Sequence, residues 1–260
     1  MATPATIQTT IQATGDGAIL FDAAAIGNDR FDPAWFDADD WRTRGPVVAL
    51  GAGRGAALRV SGPDGDWVLR HYRRGGMVAR VLGDRYLWNG AERTRGFSEF
   101  RLLAELARRG LNVPQPLAAR YRRRGAHYRA DLVTRHIDAA QTLAQRVREN
   151  QLGPTESARV GTGVAEFHAA GAYHADLNAH NILIDAQRVW LLDFDRGALR
   201  TPARTWQLAN LMRLRRSLLK IGAARDNEPQ FDRDCWRPLV AAYEQAIEHP
   251  VPRTAIGGAH

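Results

Sequence analysis

Apolar positions recur along this chain with two periods, and the change from one to the other predicts its organisation. Val47–Leu50 and Ala56–Val60 flank the glycine-rich stretch Gly51-Ala52-Gly53-Arg54-Gly55, and Trp67–Tyr72 follows the turn cluster Gly62-Pro63-Asp64-Gly65. This spacing predicts a three-strand meander with a flexible loop between its first two strands. Helical spacing begins at Phe97, runs to Arg109 and stops at Gly110. Leu111–Leu117, with two prolines, reads as a connector; Leu117–Tyr121 and Tyr128–Thr134 read as two further strands about the basic turn Arg122–Gly125. Beyond Ile137 the pattern is mostly helical, over Thr155–Ala170, about Trp206–Leu219, and near Cys235–Ile247. Ahead of the meander, Phe31, Trp35, Phe36 and Trp41 stand among Asp32, Asp37, Asp39 and Asp40, and the first forty residues read as an arm packed by its aromatics.

These elements predict an α+β, bilobal fold, a small antiparallel β lobe plus a larger helical lobe. The expected division is an N-terminal arm at 1–45 packing on the small lobe, the small lobe at 46–136, the large lobe at 137–248 and a frayed tail at 249–260. A length of 260 residues with 45% hydrophobic content suffices for two lobes. Cys235 is the one cysteine, so no intrachain disulfide forms and a reducing compartment, the cytoplasm, is expected. Met1–Leu20 lacks the basic-then-apolar pattern of a secretory signal, and no stretch approaches the roughly 20 apolar residues of a spanning helix. The formal charge of +8 favours an anionic partner without choosing one. Its form says more: Lys220 is the only lysine, so a phosphate-binding cation elsewhere must be an arginine.

The chemistry is concentrated between residues 174 and 193. His174-Ala175-Asp176-Leu177-Asn178-Ala179-His180-Asn181-Ile182-Leu183-Ile184-Asp185 is followed by Val189-Trp190-Leu191-Leu192-Asp193-Phe194-Asp195. The spacing of His174, Asp176 and Asn181, then a short hairpin ending in Asp193-Phe194, is that of a kinase catalytic loop. Phosphoryl transfer needs a carboxylate to orient the acceptor hydroxyl and a hard cation to neutralise the moving group, so Asp176 suits the catalytic role and Asn181 with Asp193 the metal, Mg²⁺. Asp and Asn are common in turns; the joint pattern, preceded by an amphipathic helix and a glycine stop, is what carries the reading.

The small lobe supplies an independent expectation. Alternation along Trp67-Val68-Leu69-Arg70 puts Val68 and Arg70 on one face, with Arg70 where kinases use lysine and Val68 in the adenine roof. Glu99 shares a helical face with Leu102, Leu103 and Leu106, so its carboxylate points into packing and needs a cation there, expected to be Arg70. Gly51, Gly53 and Gly55 lie where backbone amides would cover the ATP phosphates, and the hinge is expected near Thr134–Ile137. His136, His168 and His180 are expected in packing or surface roles.

With those residues placed, the sequence resembles the 3-deoxy-D-manno-octulosonic acid (Kdo) kinases of Gram-negative bacteria, relatives of the lipopolysaccharide core heptose kinases. The resemblance rests on Leu69-Arg70-His71-Tyr72-Arg73-Arg74-Gly75-Gly76, Phe97–Leu106, Tyr173–Leu183 and Leu192–Gly197, and covers about Phe31 to Ala242. It implies a protein-kinase-like fold and ATP-dependent phosphorylation of the Kdo 4-hydroxyl on a lipid A precursor, peripherally at the cytoplasmic face of the inner membrane. Asn178 stands where the catalytic loop often has lysine, Asp195 replaces the glycine after Asp-Phe, and no Ala-Pro-Glu segment follows, departures that argue against a protein substrate. The basic runs Arg70–Arg80, Arg120–Arg129 and Arg213–Lys220 would then meet an anionic membrane surface and an acidic glycolipid. The aromatics do not interleave with these runs as in nucleic-acid binders. A heptose or other small-molecule kinase of the same fold, or a nucleotide-binding pseudokinase, are the alternatives, and the sequence fixes no oligomeric state.

Overall fold

The computed structural model describes residues 7–27, 30–51, 57–73, 84–225 and 227–248, which form two compact units. One comprises the chain up to Arg108 together with Pro114–Asp138; the other comprises Arg109–Val113 and the chain from Ala139 onward. Gly53, Gly55, residues 74–80 of the run Arg70–Arg80 and the tail at 249–260 lie outside the described residues.

The first unit is an antiparallel sheet built from β1 (Thr9–Thr14), β2 (Gly17–Asp22), β3 (Val48–Leu50), β4 (Ala57–Gly62), β5 (Gly65–His71), β6 (Tyr86–Leu87), β7 (Pro116–Arg124) and β8 (His127–Arg135). Its order is β1-β2-β7-β8-β5-β4-β3, with β6 pairing the start of β8. Strand alternation gives it two differently dressed faces. One carries Ile19, Phe21, Val60, Trp67, Leu69 and Val133, and Phe31, Phe36 and Trp41 cover it. Phe31 stacks on Trp67 and meets Trp35 edge-on, while Trp41 donates its indole N–H to the Trp35 carbonyl at 2.9 Å. Helix α1 (Ala38–Arg44), capped by Asp37, holds Trp41 there. The opposite face receives α2 (Arg95–Arg108), whose Phe97, Phe100, Leu103 and Leu106 are buried.

Residues 9–22, expected within the aromatic-packed arm, are instead two strands of the sheet. β2 hydrogen-bonds to β7, with Leu20 opposite Ala119, and its Ile19-Leu20-Phe21 is fully buried. A short buried apolar run gives no period, and β1, at the sheet edge, leaves Ile11 mostly exposed, so neither strand shows clean alternation of buried and polar residues.

In the second unit, α3 (Leu143–Arg148) starts with a reciprocal capping box between Thr142 and Gln145. α4 (Pro154–Ala169) packs on α6 (Arg237–Glu248) so closely that a Cβ on Gly161 would collide with the Leu239 carbonyl. α5 (Arg204–Lys220) lies between them in sequence. A small sheet, β9 (Gln141–Thr142), β11 (Ile182–Ile184) and β12 (Val189–Leu191), runs in the order β12-β11-β9, and β10 (Ala172–Tyr173) pairs β13 (Ala198–Leu199). Gly171 ends the helical stretch with a φ of 76°, a conformation that favours glycine, and accepts from Arg200 N. Among the described residues no helix is long and apolar enough to cross a membrane.

Candidate functional site

In the first unit, β5 carries Arg70 on the face turned to α2, and Arg70 Nη1 donates to Glu99 Oε1 and Oε2 at 2.9 and 3.2 Å. The pair predicted from strand alternation and helical spacing is thus formed, with the Glu99 side chain only 2% exposed. Sequence reasoning missed the third member: Tyr72, two residues along the same strand face, donates its hydroxyl to Glu99 Oε2 at 2.6 Å, and the Arg70 guanidinium lies 4.7 Å from its ring centre. A strand tyrosine reads as core from its pattern alone, which hides this role.

On the same sheet face, Val48 lies opposite Arg59 and Arg59 opposite Val68, while Leu50 lies opposite Ala57. Val48 and Leu50 are exposed and Val68 half-buried, an uncovered apolar strip beside Arg70. Gly51 closes β3 with a φ of 103°. The other face holds a charged cluster around His71, whose Nδ1 is 2.6 Å from Asp131 and whose Nε2 is 3.0 Å from Asp84. Arg120 donates to Asp131 at 2.9 Å. The hydrogen bond to Asp131 raises the His71 pKa against the opposing effect of burial.

In the second unit, β11 and β12 set the residues of the 174–193 stretch in place. Leu192 N donates to the Asn181 carbonyl at 2.9 Å, which ties the end of the hairpin to its start. The Asn181 amide donates to the Asp176 carbonyl at 3.0 Å, and this orientation leaves its own oxygen as an acceptor. Asp193 adopts a left-handed φ of 60°, unusual for a residue with a side chain and more tolerated by Asp than by most. Phe194 is buried against Phe167 and His174.

His174 has a defined task. Its Nδ1 accepts from Asp176 N at 3.1 Å and its Nε2 donates to the Leu192 carbonyl at 2.8 Å, so the ring clasps the residue before Asp193 to the backbone of Asp176. Only the neutral tautomer protonated at Nε2 makes both bonds. Burial lowers the His174 pKa and keeps it neutral, against the opposing pull of the Leu192 carbonyl.

The Asp176 carboxylate is 66% exposed. Asn178 donates to its Oδ2 at 3.0 Å and Arg213 Nη1 lies 3.7 Å from its Oδ1. Arg213, expected in a membrane-facing basic run, therefore lies beside the loop, whereas Arg215 binds Glu228 and Asp232 and Arg216 is exposed. Of the three histidines, His168 is buried against Tyr243 and Trp206, and burial pushes its pKa down to about 4. His136 lies 2.9 Å from Asp138 through Nδ1, and His180 is exposed.

A family model described as "Lipopolysaccharide kinase (Kdo/WaaP) family" matches residues 38–243. A 3-deoxy-D-manno-octulosonic acid kinase of Xanthomonas axonopodis pv. citri is 49% identical over 90% of this chain and 92% of its own length. The protein of that description from Xylella fastidiosa is 48% identical, over 89% and 91%. A solved structure described as "WaaP in complex with acyl carrier protein" is similar at a TM-score of 0.45 with 19% identity, covering 78% of this chain and 88% of that one.

Proposed function

The chain belongs to the lipopolysaccharide kinase (Kdo/WaaP) family, and from that premise we propose that it transfers the γ-phosphoryl group of ATP to the 4-hydroxyl of a Kdo sugar on a lipid A precursor. It is a phosphotransferase acting on a sugar hydroxyl. The observation that carries the residue assignment is the Asp176 carboxylate, open to solvent while its backbone is clasped by His174 and Asn181. A carboxylate so placed accepts the hydroxyl proton as the sugar oxygen bonds to the γ-phosphorus and the bond to ADP breaks.

The oxygens of Asn181 and Asp193 fit a hard divalent cation, because the Asn181 N–H is already used within the loop. Mg²⁺ bound there would neutralise charge on the phosphates. In the first unit, Val48, Leu50 and Val68 offer apolar contact to the base, Arg70 contacts phosphate, and Glu99 with Tyr72 hold Arg70 in position. Gly51, the described member of the glycine-rich stretch, stands at the end of β3, where its backbone amide would meet the phosphates. The exposed arginines Arg122, Arg123, Arg124 and Arg129 on the β7–β8 hairpin support peripheral attachment to the anionic cytoplasmic face of the inner membrane.

The test supplies purified protein, ATP and Mg²⁺ with matched Kdo-bearing and heptose-bearing acceptors and locates the new phosphate by mass spectrometry and NMR. A phosphate on O4 of Kdo is expected. Transfer to heptose alone, or to another Kdo hydroxyl, would overturn the acceptor assignment.

A further inference from the structure

The cation beside Asp176 comes from outside the catalytic loop. Asn210, Arg213 and Ser217 recur at three and four residues along α5 and so share one helical face. Two of them are fastened to the loop, since Asn210 Oδ1 accepts from His174 N at 3.4 Å and Ser217 Oγ accepts from Ala179 N at 3.1 Å. Arg213, between them on the helix, is delivered to the stretch between His174 and Ala179, where it meets Asp176.

Within the loop, Asn178 gives Asp176 a hydrogen bond but no charge. A phosphoryl group in transfer spreads negative charge over its oxygens, so a cation near the orienting carboxylate has a direct use. Resting on the kinase reading above, we propose that Arg213 is a further catalytic residue that contacts the transferred phosphoryl group and supplies the charge Asn178 lacks. Its 3.7 Å approach to Asp176 is too long for a hydrogen bond and its side chain is 44% exposed, so its planar set of donors remains available to phosphoryl oxygens. The proton of the acceptor hydroxyl goes to Asp176, ADP leaves with the electron pair of the broken P–O bond, and Arg213 exchanges no proton.

The experiment compares kcat and KM for the wild type, Arg213→Ala, Arg213→Lys, the double variant Arg213→Ala with Asn178→Lys, and the surface control Arg233→Ala. Each is measured for transfer to the Kdo acceptor and for transfer to water. Arg213→Ala is expected to lower kcat by about 10- to 100-fold, less than a fully enclosed donor because the site is open, with both KM values within about threefold. A lysine at either position restores part of the loss, and Arg233→Ala matches the wild type. A raised acceptor KM at unchanged kcat would assign Arg213 to an anion on the sugar and overturn the proposal. So would a kcat equal to that of Arg233→Ala, or no recovery with either lysine. Since transfer to water needs no sugar, a wild type that hydrolyses ATP but ignores Kdo refutes the acceptor assignment alone and leaves the Arg213 ratio measurable.

Discussion

The two units handle buried polarity in opposite ways. The first buries charge against charge: Glu99 with Arg70, and Asp131 with His71 and Arg120. The second buries His168 and His174 neutral, the first beside Tyr243 and the second between two backbone groups, and leaves the Asp176 carboxylate in water. A residue that holds a buried counter-charge cannot be removed without leaving its partner unpaired in a poor solvent. An exposed carboxylate can. Replacing Asp176 therefore leaves the packing around it intact, whereas replacing Glu99 strands a partly buried arginine.

The sharpest way to break that contrast is a pair of variants. Asp176→Ala should lower phosphoryl transfer by about a thousandfold with no change in thermal unfolding. Glu99→Ala should cost about 3–5 kcal/mol of unfolding free energy in denaturant titration, because Arg70 is left without its carboxylate, and should lose nucleotide affinity as well. Equal destabilisation by the two would remove the distinction.

Acid should next expose the second unit. His168 has a folded pKa of about 4 against an ordinary 6.5, so the unfolded chain binds its proton first as pH falls. The stabilisation is full above 6.5 and lost progressively down to about 4, amounting to about 3 kcal/mol. Denaturant unfolding at several pH values should show this slope, and His168→Gln should flatten it. His174 follows the same sign, its folded pKa also being lowered, and its protonation replaces the acceptor of the Asp176 N–H with a donor. The first unit runs the other way: the His71 pKa is raised, so its contribution is complete below 6.5 and fades as pH rises through the folded value. A His71→Gln variant with an unchanged alkaline profile would contradict this. The smallest effect is expected at Val48→Ala, which should weaken ATP binding by about threefold through lost apolar contact at a partly open strip, read by calorimetric titration.

Much of this arrangement was legible because it is periodic or motif-bound. Arg70 and Glu99 followed from strand alternation and helical offsets; α2 and α4 followed from apolar spacing with glycine stops, and α5 and α6 from apolar spacing alone. What escaped was set by partners distant in sequence. β2 is recognisable as a strand only once β7 lies beside it. Tyr72 matters through Glu99, and Arg213 through a loop that α5 reaches by way of Asn210 and Ser217. In each case the side chain alone supports a blander reading, and contact decides.

The substitution of arginine at position 70 also bears on reagents. ATP analogues that acylate an active-site amine need a nucleophilic lysine beside the phosphates, and a guanidinium, protonated throughout the ordinary pH range, does not react with them. The only lysine amine in the chain is Lys220, exposed at the end of α5. Such probes should label protein kinases in a mixed extract and leave this enzyme unmarked at position 70, a chemical selectivity written into the strand by a single residue.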